Sequence, residues 1–265
     1  MFEKTASYCA PYQDKLGLVI RRMGTQKTLI INGDRVFPSA SVIKMAALWE
    51  FYRRVNEGSL HEEEPFILRD SMKVGETPYD TGVLRDFHDG IQLTLEDVVT
   101  MMVVMSDDTA TNILLDLLGI DQINQTMRKL GLKGTRVQRR MMEYDKVRAG
   151  IDNETSATDM DLLFQEIFAG TKLQPACHAK MQGILCKQRY HDSIPRYFPE
   201  DMKIAHKTGT IGEFGLEHDV GVICGKNNEP ILGVSAFSQH LDNAADVIGH
   251  IAKIAFEELQ DDRAL

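Results

Sequence analysis

The tetrapeptide SVIK at residues 41–44 lies where the sequence changes from strand-like to helix-like patterns. The apolar run behind it, residues 45–55, is typical of a buried helix, and Gly58 supplies a stop signal. Ser41 would therefore begin a helix, with Lys44 one turn away on the same face. At a helix start the dipole favours developing negative charge on the Ser41 oxygen, and a desolvated, neutral Lys44 could accept its proton. The tetrapeptide predicts a serine nucleophile with a lysine base, although a serine at a helix start is more often only an N-cap.

Two later stretches favour the catalytic interpretation. The sequence SDD at residues 106–108 follows an apolar helix, and HKTGT at residues 206–210 lies nearer the C-terminus. Ser-x-x-Lys, Ser-Asp-Asn and Lys-Thr-Gly, in this order, are the signature of class A β-lactamases and penicillin-binding proteins. The chain resembles that family of serine hydrolases from about residue 16 to about residue 259, and residues 93–112 resemble the helix and the asparagine around its second motif.

The resemblance implies a role for each residue that matches a motif. Ser41 would be the nucleophile, Lys44 its base, Ser106 a proton relay to the leaving nitrogen, and Lys207 a positive charge that attracts a substrate carboxylate. The backbone N–H groups of Ser41 and Thr210 would form the oxyanion hole. The residues expected to contact the substrate are Asp108, Asn112, Thr208, Gly209 and Thr210. Asp107 is expected to fix a turn through local backbone hydrogen bonds.

The sequence departs from the class A pattern at three places. Asp108 replaces an asparagine, so an acceptor-only carboxylate stands where an amide donor is usual, which predicts a preference for acyl side chains that donate hydrogen bonds or carry a positive charge. No arginine follows the Lys-Thr-Gly motif before Gly225, so Lys207 would bind a carboxylate alone. Met141 stands in register with the deacylating glutamate of the family, and Glu143 lies two positions further on.

Met141 and Glu143 lie in the loop that follows residues 135–139. Glu143 is therefore a candidate deacylating base if this loop is shifted relative to the class A pattern, and a surface glutamate if it is not. In the same loop, Arg139 could pair with Glu154.

Composition limits the other classes of function. The chain has 265 residues, 43% of them hydrophobic, and a net charge of -9, which argues against binding to nucleic acid. No apolar run is long enough to cross a bilayer and no secretory signal begins the sequence, so a cytoplasmic protein is expected, or an exported one if a signal has been removed. The cysteines and histidines have no metal-ligand spacing, and we expect neither a metal nor a cofactor. The expected partner is a small-molecule substrate.

The order of the patterns predicts the fold. Strand-like runs at residues 16–20 and 28–31 precede a long helical stretch, and further strands follow at 202–205, 220–224 and 231–237. We expect a single α/β (α+β) domain with one antiparallel sheet built from both chain ends and flanked by helices. Residues 1–40 and 196–265 would form this α/β lobe, and residues 41–195 an inserted all-helical lobe.

Three functions are compatible with these patterns. The first is a β-lactamase-like serine hydrolase that forms an acyl-enzyme at Ser41 and hydrolyses β-lactam amide bonds slowly. The second is a penicillin-binding or D,D-peptidase-like acyltransferase, or an esterase, which the diverged loop favours. The third is a non-catalytic binding or sensor domain, against which the intact Ser41, Lys44, Ser106 and Lys207 argue.

Overall fold

The computed structural model describes residues 1–75 and 81–264, with side chains as far as residue 261. Its central feature is a five-stranded antiparallel sheet in the order β2-β1-β9-β8-β7. The strands are β1 (Leu16–Arg22), β2 (Thr28–Ile31), β7 (Ile204–Ile211), β8 (Leu216–Cys224) and β9 (Pro230–Gln239). The first two strands and the last three therefore pair into one sheet, as predicted, and β7 forms one of its edges.

Helices cover both faces of the sheet. Helix α1 (Glu3–Cys9) and helix α9 (Ala244–Ala264) pack on one face, where Leu18 and Ile20 of β1 join a buried cluster with Ile248. Val19, which points the opposite way in the strand, joins the larger core beneath the helical segment. Both faces are thus buried, which explains why β1 begins with five buried residues in a row, LGLVI, instead of alternating apolar and polar ones.

The segment between β2 and β7 is mostly helical. Its helices are α2 (Lys44–Asn56), α3 (Leu95–Val104), α4 (Asp108–Leu118), α5 (Ile120–Leu130), α6 (Tyr144–Arg148), α7 (Ala157–Ala169) and α8 (Pro175–Leu185). Helix α2 lies at the centre and contacts α3, α4, α5 and α8, with Trp49 and Tyr52 fully buried. Thr94 caps α3 in a capping box with Asp97, and Gly131 ends α5 in the left-handed conformation.

Two short ribbons in this segment are absent from the predicted pattern. Strand β3 (Val36–Pro38) pairs with β6 (Glu154–Ser156), and β4 (Pro65–Ile67) pairs with β5 (Gln92–Thr94). Three residues are too few to show an alternating pattern, so pairing across a long sequence separation leaves no local signal. The β3–β6 ribbon joins the entry to the nucleophile to the loop before α7. No helix in the described ranges is both long and apolar enough to span a bilayer.

Candidate active site

Ser41 lies in a short 3₁₀ helix, Ala40–Ile43, that leads directly into α2. Ala40 has a φ of 44°, an uncommon value for a residue with a side chain. A Cβ built on Gly209 of β7 would lie 3.1 Å from the Ser41 nitrogen and 3.1 Å from the Ser39 oxygen. Gly209 thus lets the edge strand approach the backbone of the nucleophile, whereas the sequence suggested only close approach of a substrate.

Lys44 is fully buried, and its Nζ atom contacts three acceptors. It donates to the Ser106 carbonyl oxygen at 2.5 Å, to Ser106 Oγ at 3.1 Å and to Asp108 Oδ1 at 2.9 Å. An ammonium group has three hydrogens, so these contacts account for all of them. Lys44 is therefore bound to Ser106 and Asp108 rather than to Ser41.

Ser106 connects two lysines that come from different elements. Its Oγ atom accepts hydrogen bonds from Lys207 Nζ at 3.0 Å and from Lys44 Nζ at 3.1 Å. The φ angle of Ser106 is 53°, and its neighbour Asp107 caps α4 by accepting from the Ala110 nitrogen at 2.8 Å. The strained residue thus lies between two helices and holds its hydroxyl toward both amines.

Lys207 is fully buried, and its Nζ atom also donates to the Thr208 carbonyl oxygen at 2.6 Å. Burial, together with the nearby charge of Lys44, places the pKa of Lys207 well below its usual value. This direction opposes the permanent positive charge that the resemblance implies. Lys207 is therefore less able than an exposed lysine to hold a positive charge for a substrate carboxylate.

Asp108 is almost fully buried, and both of its oxygens have protein partners. Oδ1 pairs with Lys44, while Oδ2 accepts from the Thr81 nitrogen at 3.0 Å and lies 3.3 Å from Thr81 Oγ1. Thr81 Oγ1 also donates to the Ser106 carbonyl oxygen at 2.5 Å. The carboxylate is therefore bound to Lys44 and Thr81, although Asp108 also lines the cavity beside Ser41.

Ser41 borders two small cavities, which share Ser41, Thr81 and Thr210. The first, which we call the loop cavity, has a volume of about 120 Å³ and is lined by Ala40, Ser41, Thr81, Asp108, Arg139, Met141, Met142, Tyr144, Thr210, Ile211 and Gly212. The second, the strand cavity, has a volume of about 150 Å³ and is lined by Ser41, Thr81, Ser106, Tyr190, Asp192, Ser193, Thr208, Thr210 and Glu217. A larger cavity between α2 and α8 shares none of these residues.

The loop cavity contains Met141, the residue that the sequence comparison predicted to stand in register with the deacylating glutamate of the class A pattern. Met141 is buried, and its backbone is held by Asn112, whose Oδ1 accepts from the Met141 nitrogen at 2.7 Å and whose Nδ2 donates to the Met141 oxygen at 3.2 Å. Asn112 therefore positions the loop through both atoms of its amide, and it is not among the residues that line either cavity.

The ionic partner of Arg139 differs from the predicted one. Arg139 Nε lies 2.7 Å from Asp152 Oδ1, whereas Glu154 pairs through its backbone with Arg136. The predicted ion pair between Arg139 and Glu154 was therefore wrong. Glu154 is the first residue of β6, and the carboxylate that binds Arg139 comes from Asp152, two residues before that strand.

Glu143 is bound by residues of its own loop and helix and lines neither cavity. Its Oε2 accepts from the Arg140 nitrogen at 2.9 Å and pairs with Lys146 Nζ at 2.8 Å. Burial alone would raise the pKa of Glu143, but the hydrogen bonds from Lys146 and Arg140 together lower it. Glu143 lines neither cavity, so in this conformation it is a partly exposed cap of α6 and does not reach a water beside Ser41.

Four residues of the site carried no signal in the sequence. Thr81, Tyr190, Asp192 and Glu217 reach the cavities from loops and from β8, and none belongs to a motif of the family. The pairing of β7 with β8 places Glu217 opposite Thr210. Knowledge of the register of this hairpin would therefore have placed Glu217 at the site. Within the described residues, no group of three or more His, Cys, Asp or Glu side chains is placed to hold a metal ion.

The model of the β-lactamase enzyme family matches residues 2–259 of the chain. With the antiparallel sheet, the helical insertion and the Ser-x-x-Lys turn in place, this match shows that the chain belongs to the β-lactamase enzyme family, a group of serine hydrolases.

Individual relatives agree with this assignment. Beta-lactamase 3 of Bacillus cereus is 26% identical over 259 residues, which cover 94% of this chain and 78% of that protein. The crystal structure of a β-lactamase from Sphaerobacter thermophilus is 30% identical with a TM-score of 0.87, and the match covers 98% of this chain and 97% of that one. PBP-A shares the fold at 24% identity, with a TM-score of 0.84 over 97% of this chain and 96% of its own.

Proposed function

We propose that this β-lactamase-like hydrolase forms an acyl-enzyme at Ser41 with β-lactams and hydrolyses that intermediate slowly. The observation that carries the proposal is the buried Lys44–Ser106–Lys207 network, whose Ser106 lines the same cavity as Ser41, combined with Met141 in the cavity where a water-activating base would be needed. The network of Lys44, Ser106 and Lys207 favours acylation of Ser41, and Met141 disfavours hydrolysis of the acyl-enzyme.

Acylation needs a route for one proton. Ser41 Oγ attacks the lactam carbonyl carbon, the C–N bond breaks, and the departing nitrogen takes up a proton. Ser106 Oγ lies between the two lysine nitrogens, so a proton from Ser41 can enter this network while Ser106 passes another to the nitrogen. The lowered pKa of Lys207 favours this route, because its ammonium group gives up a proton more readily than that of an exposed lysine.

The carbonyl oxygen becomes negatively charged in the same step. Ser41 and Thr210 both line the two cavities, and the contact at Gly209 keeps β7 against the backbone of Ser41. We propose that the N–H groups of Ser41 and Thr210 stabilise the oxyanion. Thr208, beside them on β7, adds a hydroxyl donor for the substrate.

Deacylation needs a base aimed at a water on the acyl carbon. The loop cavity offers Met141, Met142, Tyr144 and Arg139 near Ser41, and the carboxylate of Asp108 is already bound to Lys44. Among the described residues that line this cavity, none supplies an uncommitted carboxylate. Hydrolysis of the acyl-enzyme should therefore be much slower than its formation.

Peptide mapping tests the assignment of the nucleophile. After incubation with benzylpenicillin, the peptide that contains Ser41 should gain the mass of the intact drug, and Ser41→Ala should remove the gain. Ser193→Ala is the matched control, because Ser193 lines the strand cavity but lies on another element. Labelling that persists in Ser41→Ala, or that moves to another peptide, would contradict the proposal.

Acyl transfer to an amine is a second candidate, because none of the described residues that line the loop cavity supplies an uncommitted carboxylate to activate water. A nucleophilic amine needs less activation than water, so an acyl-enzyme that resists hydrolysis can still be resolved by aminolysis. Adding D-alanine or glycine to the preformed adduct tests this candidate: faster loss of the adduct with formation of the amide would support it, and an unchanged lifetime would exclude these acceptors.

A further inference from the structure

The strand cavity has an unusual charge for a site beside a nucleophile that acts on β-lactams. Among its described lining residues, Asp192 and Glu217 are the ones with carboxyl side chains, and no lysine, arginine or histidine accompanies them. Lys44 and Lys207, which both bind Ser106 Oγ, are fully buried, and burial lowers the pKa of Lys207. None of the described residues that line the strand cavity is therefore an exposed cation that could balance a carboxylate.

Glu217 is held close to the reacting atoms by the sheet. It lies on β8, where its Cα is the partner of Thr210 on β7, and Ser193 Oγ donates to its Oε1 at 3.0 Å. Its side chain is half-buried and shares the strand cavity with Ser41 and Thr208. A group bound beside the scissile carbonyl along β7 would thus lie against this carboxyl.

We propose that Glu217 makes the strand cavity select acyl donors that are neutral or positively charged beside the scissile carbonyl, and disfavours donors that carry a carboxylate there. The inference rests on the proposed acyl-enzyme at Ser41 and adds the chemical class of its preferred substrate. Like charges in a partly buried cavity repel, and a cation there would gain the corresponding attraction. Asp192, exposed at the rim of the same cavity, adds to the effect.

The protonation of Glu217 sets the pH range of this selection. Burial, only partly offset by the hydrogen bonds from Ser193 and Thr210, raises the pKa of Glu217 to about 7, and the charges of Asp219 and Asp192 act in the same direction. Asp219 is itself bound to the imidazole of His206. Below about pH 6 the neutral acid can donate a hydrogen bond to a carboxylate, and above about pH 8 the anion repels it.

Three forms of one acyl donor isolate the charge. Benzylpenicillin is an anion, its methyl ester is neutral, and its diethylaminoethyl ester is a cation, while the lactam is the same in all three. We expect the rate of adduct formation at about pH 8, followed by intact-protein mass, to be roughly tenfold or more higher for the cation than for the anion. Between about pH 8 and about pH 6 this ratio should fall.

Glu217→Gln tests the residue, and Glu213→Gln is its control, since Glu213 is exposed in the same hairpin and lines neither cavity. Glu217→Gln should reduce the cation-to-anion ratio and its dependence on pH, while Glu213→Gln should keep both. A ratio near one in the wild-type protein, or an equal change in both variants, would overturn the inference. If all three donors label Ser41 at nearly equal rates, only the inference about Glu217 fails. If none of them labels Ser41, the proposed function itself fails.

Discussion

Asn112 binds the backbone of Met141 through both atoms of its side-chain amide, with one hydrogen bond of 2.7 Å to the nitrogen and one of 3.2 Å from the amide to the oxygen. The side chain of Met141 is thereby fixed in the loop cavity beside Ser41. Asn112 is a residue of α4, so the helix that follows Ser106 also sets the position of the loop. In the proposed mechanism, position 141 is therefore a place from which a base could activate water beside Ser41.

Replacing Met141 by glutamate should supply that base. A positioned general base contributes about 10²- to 10⁴-fold to a hydrolytic step, and Met141→Glu keeps a flexible side chain of similar length. We expect the lifetime of the penicillin adduct, measured by intact-protein mass after removal of excess drug, to shorten at least tenfold. Met141→Gln, which has the shape without the charge, is the control; equal shortening in both variants would mean that looser packing, not a base, speeds hydrolysis.

Glu143→Gln should leave the lifetime of the adduct unchanged. Its carboxylate is bound to Lys146 and to the Arg140 nitrogen, and it lines neither cavity. The measurement is the steady-state rate of nitrocefin hydrolysis after the first turnover, compared with that of Lys146→Met, which removes the partner of the carboxylate. A large fall in that rate in Glu143→Gln would show that the loop rearranges to deliver Glu143.

Asp108→Asn should alter acylation of different penicillins by the same factor. The carboxylate oxygens bind Lys44 and Thr81, so the change acts through Lys44 and not through contact with the acyl side chain. We expect the ratio of the acylation rates of ampicillin and benzylpenicillin to stay within about twofold of the wild-type ratio. Loss of one partner of a buried ion pair should also lower the free energy of unfolding by about 3–5 kcal/mol.

Thermal unfolding measures the loss of stability in Asp108→Asn, with Asp145→Asn, which changes an exposed carboxylate, as the control. A change in the ampicillin ratio with unaltered stability would place the carboxylate against the substrate instead.

The stability of the fold should depend on pH through His218. Its Nε2 lies 2.9 Å from the Pro38 oxygen and its Nδ1 accepts from the Ser238 nitrogen at 3.3 Å, so both ring nitrogens are satisfied in the neutral tautomer. Burial lowers the pKa of His218 from 6.5 to about 4. Because the unfolded chain then binds a proton more readily, this contribution, about 3 kcal/mol, is present above about pH 6.5 and is lost as the pH falls to about 4.

Chemical unfolding of the wild type and of His218→Gln across this range isolates the effect. Glu217, with its raised pKa, contributes in the opposite direction over part of the same range, so the difference between the two proteins is the informative quantity. The wild type and His218→Gln should become more similar in their free energy of unfolding as the pH falls from about 6.5 to about 4. A constant difference would show that His218 has an ordinary pKa in the folded protein.

Much of the fold follows from local patterns. Short apolar runs mark β1 and β2, and the structure has strands at both. Single residues mark two helix ends: Thr94 caps the start of α3, and Gly131 ends α5. The β3–β6 and β4–β5 ribbons could not be predicted, because residues far apart in the sequence decide the pairing. Phe37 of β3 pairs with Thr155 of β6, and Phe66 of β4 pairs with Leu93 of β5.

The site divides in the same way. Motif order identifies Ser41, Lys44, Ser106 and Lys207, and the structure brings the last three together through Ser106 Oγ. The low pKa of Lys207 could not be predicted, because it depends on complete burial next to a second lysine. Glu217 was missed for another reason: it enters the cavity only through the register of β7 with β8.

The time course of nitrocefin cleavage shows whether Ser41 is acylated quickly and released slowly. On rapid mixing with excess nitrocefin, we expect a burst of colour close to one equivalent per protein, a slow steady phase, and a covalent adduct in the mass spectrum. Ser41→Ala should show neither burst nor adduct. Fast, linear hydrolysis without a burst, with no adduct detected at any time, would contradict the proposal of fast acylation and slow release.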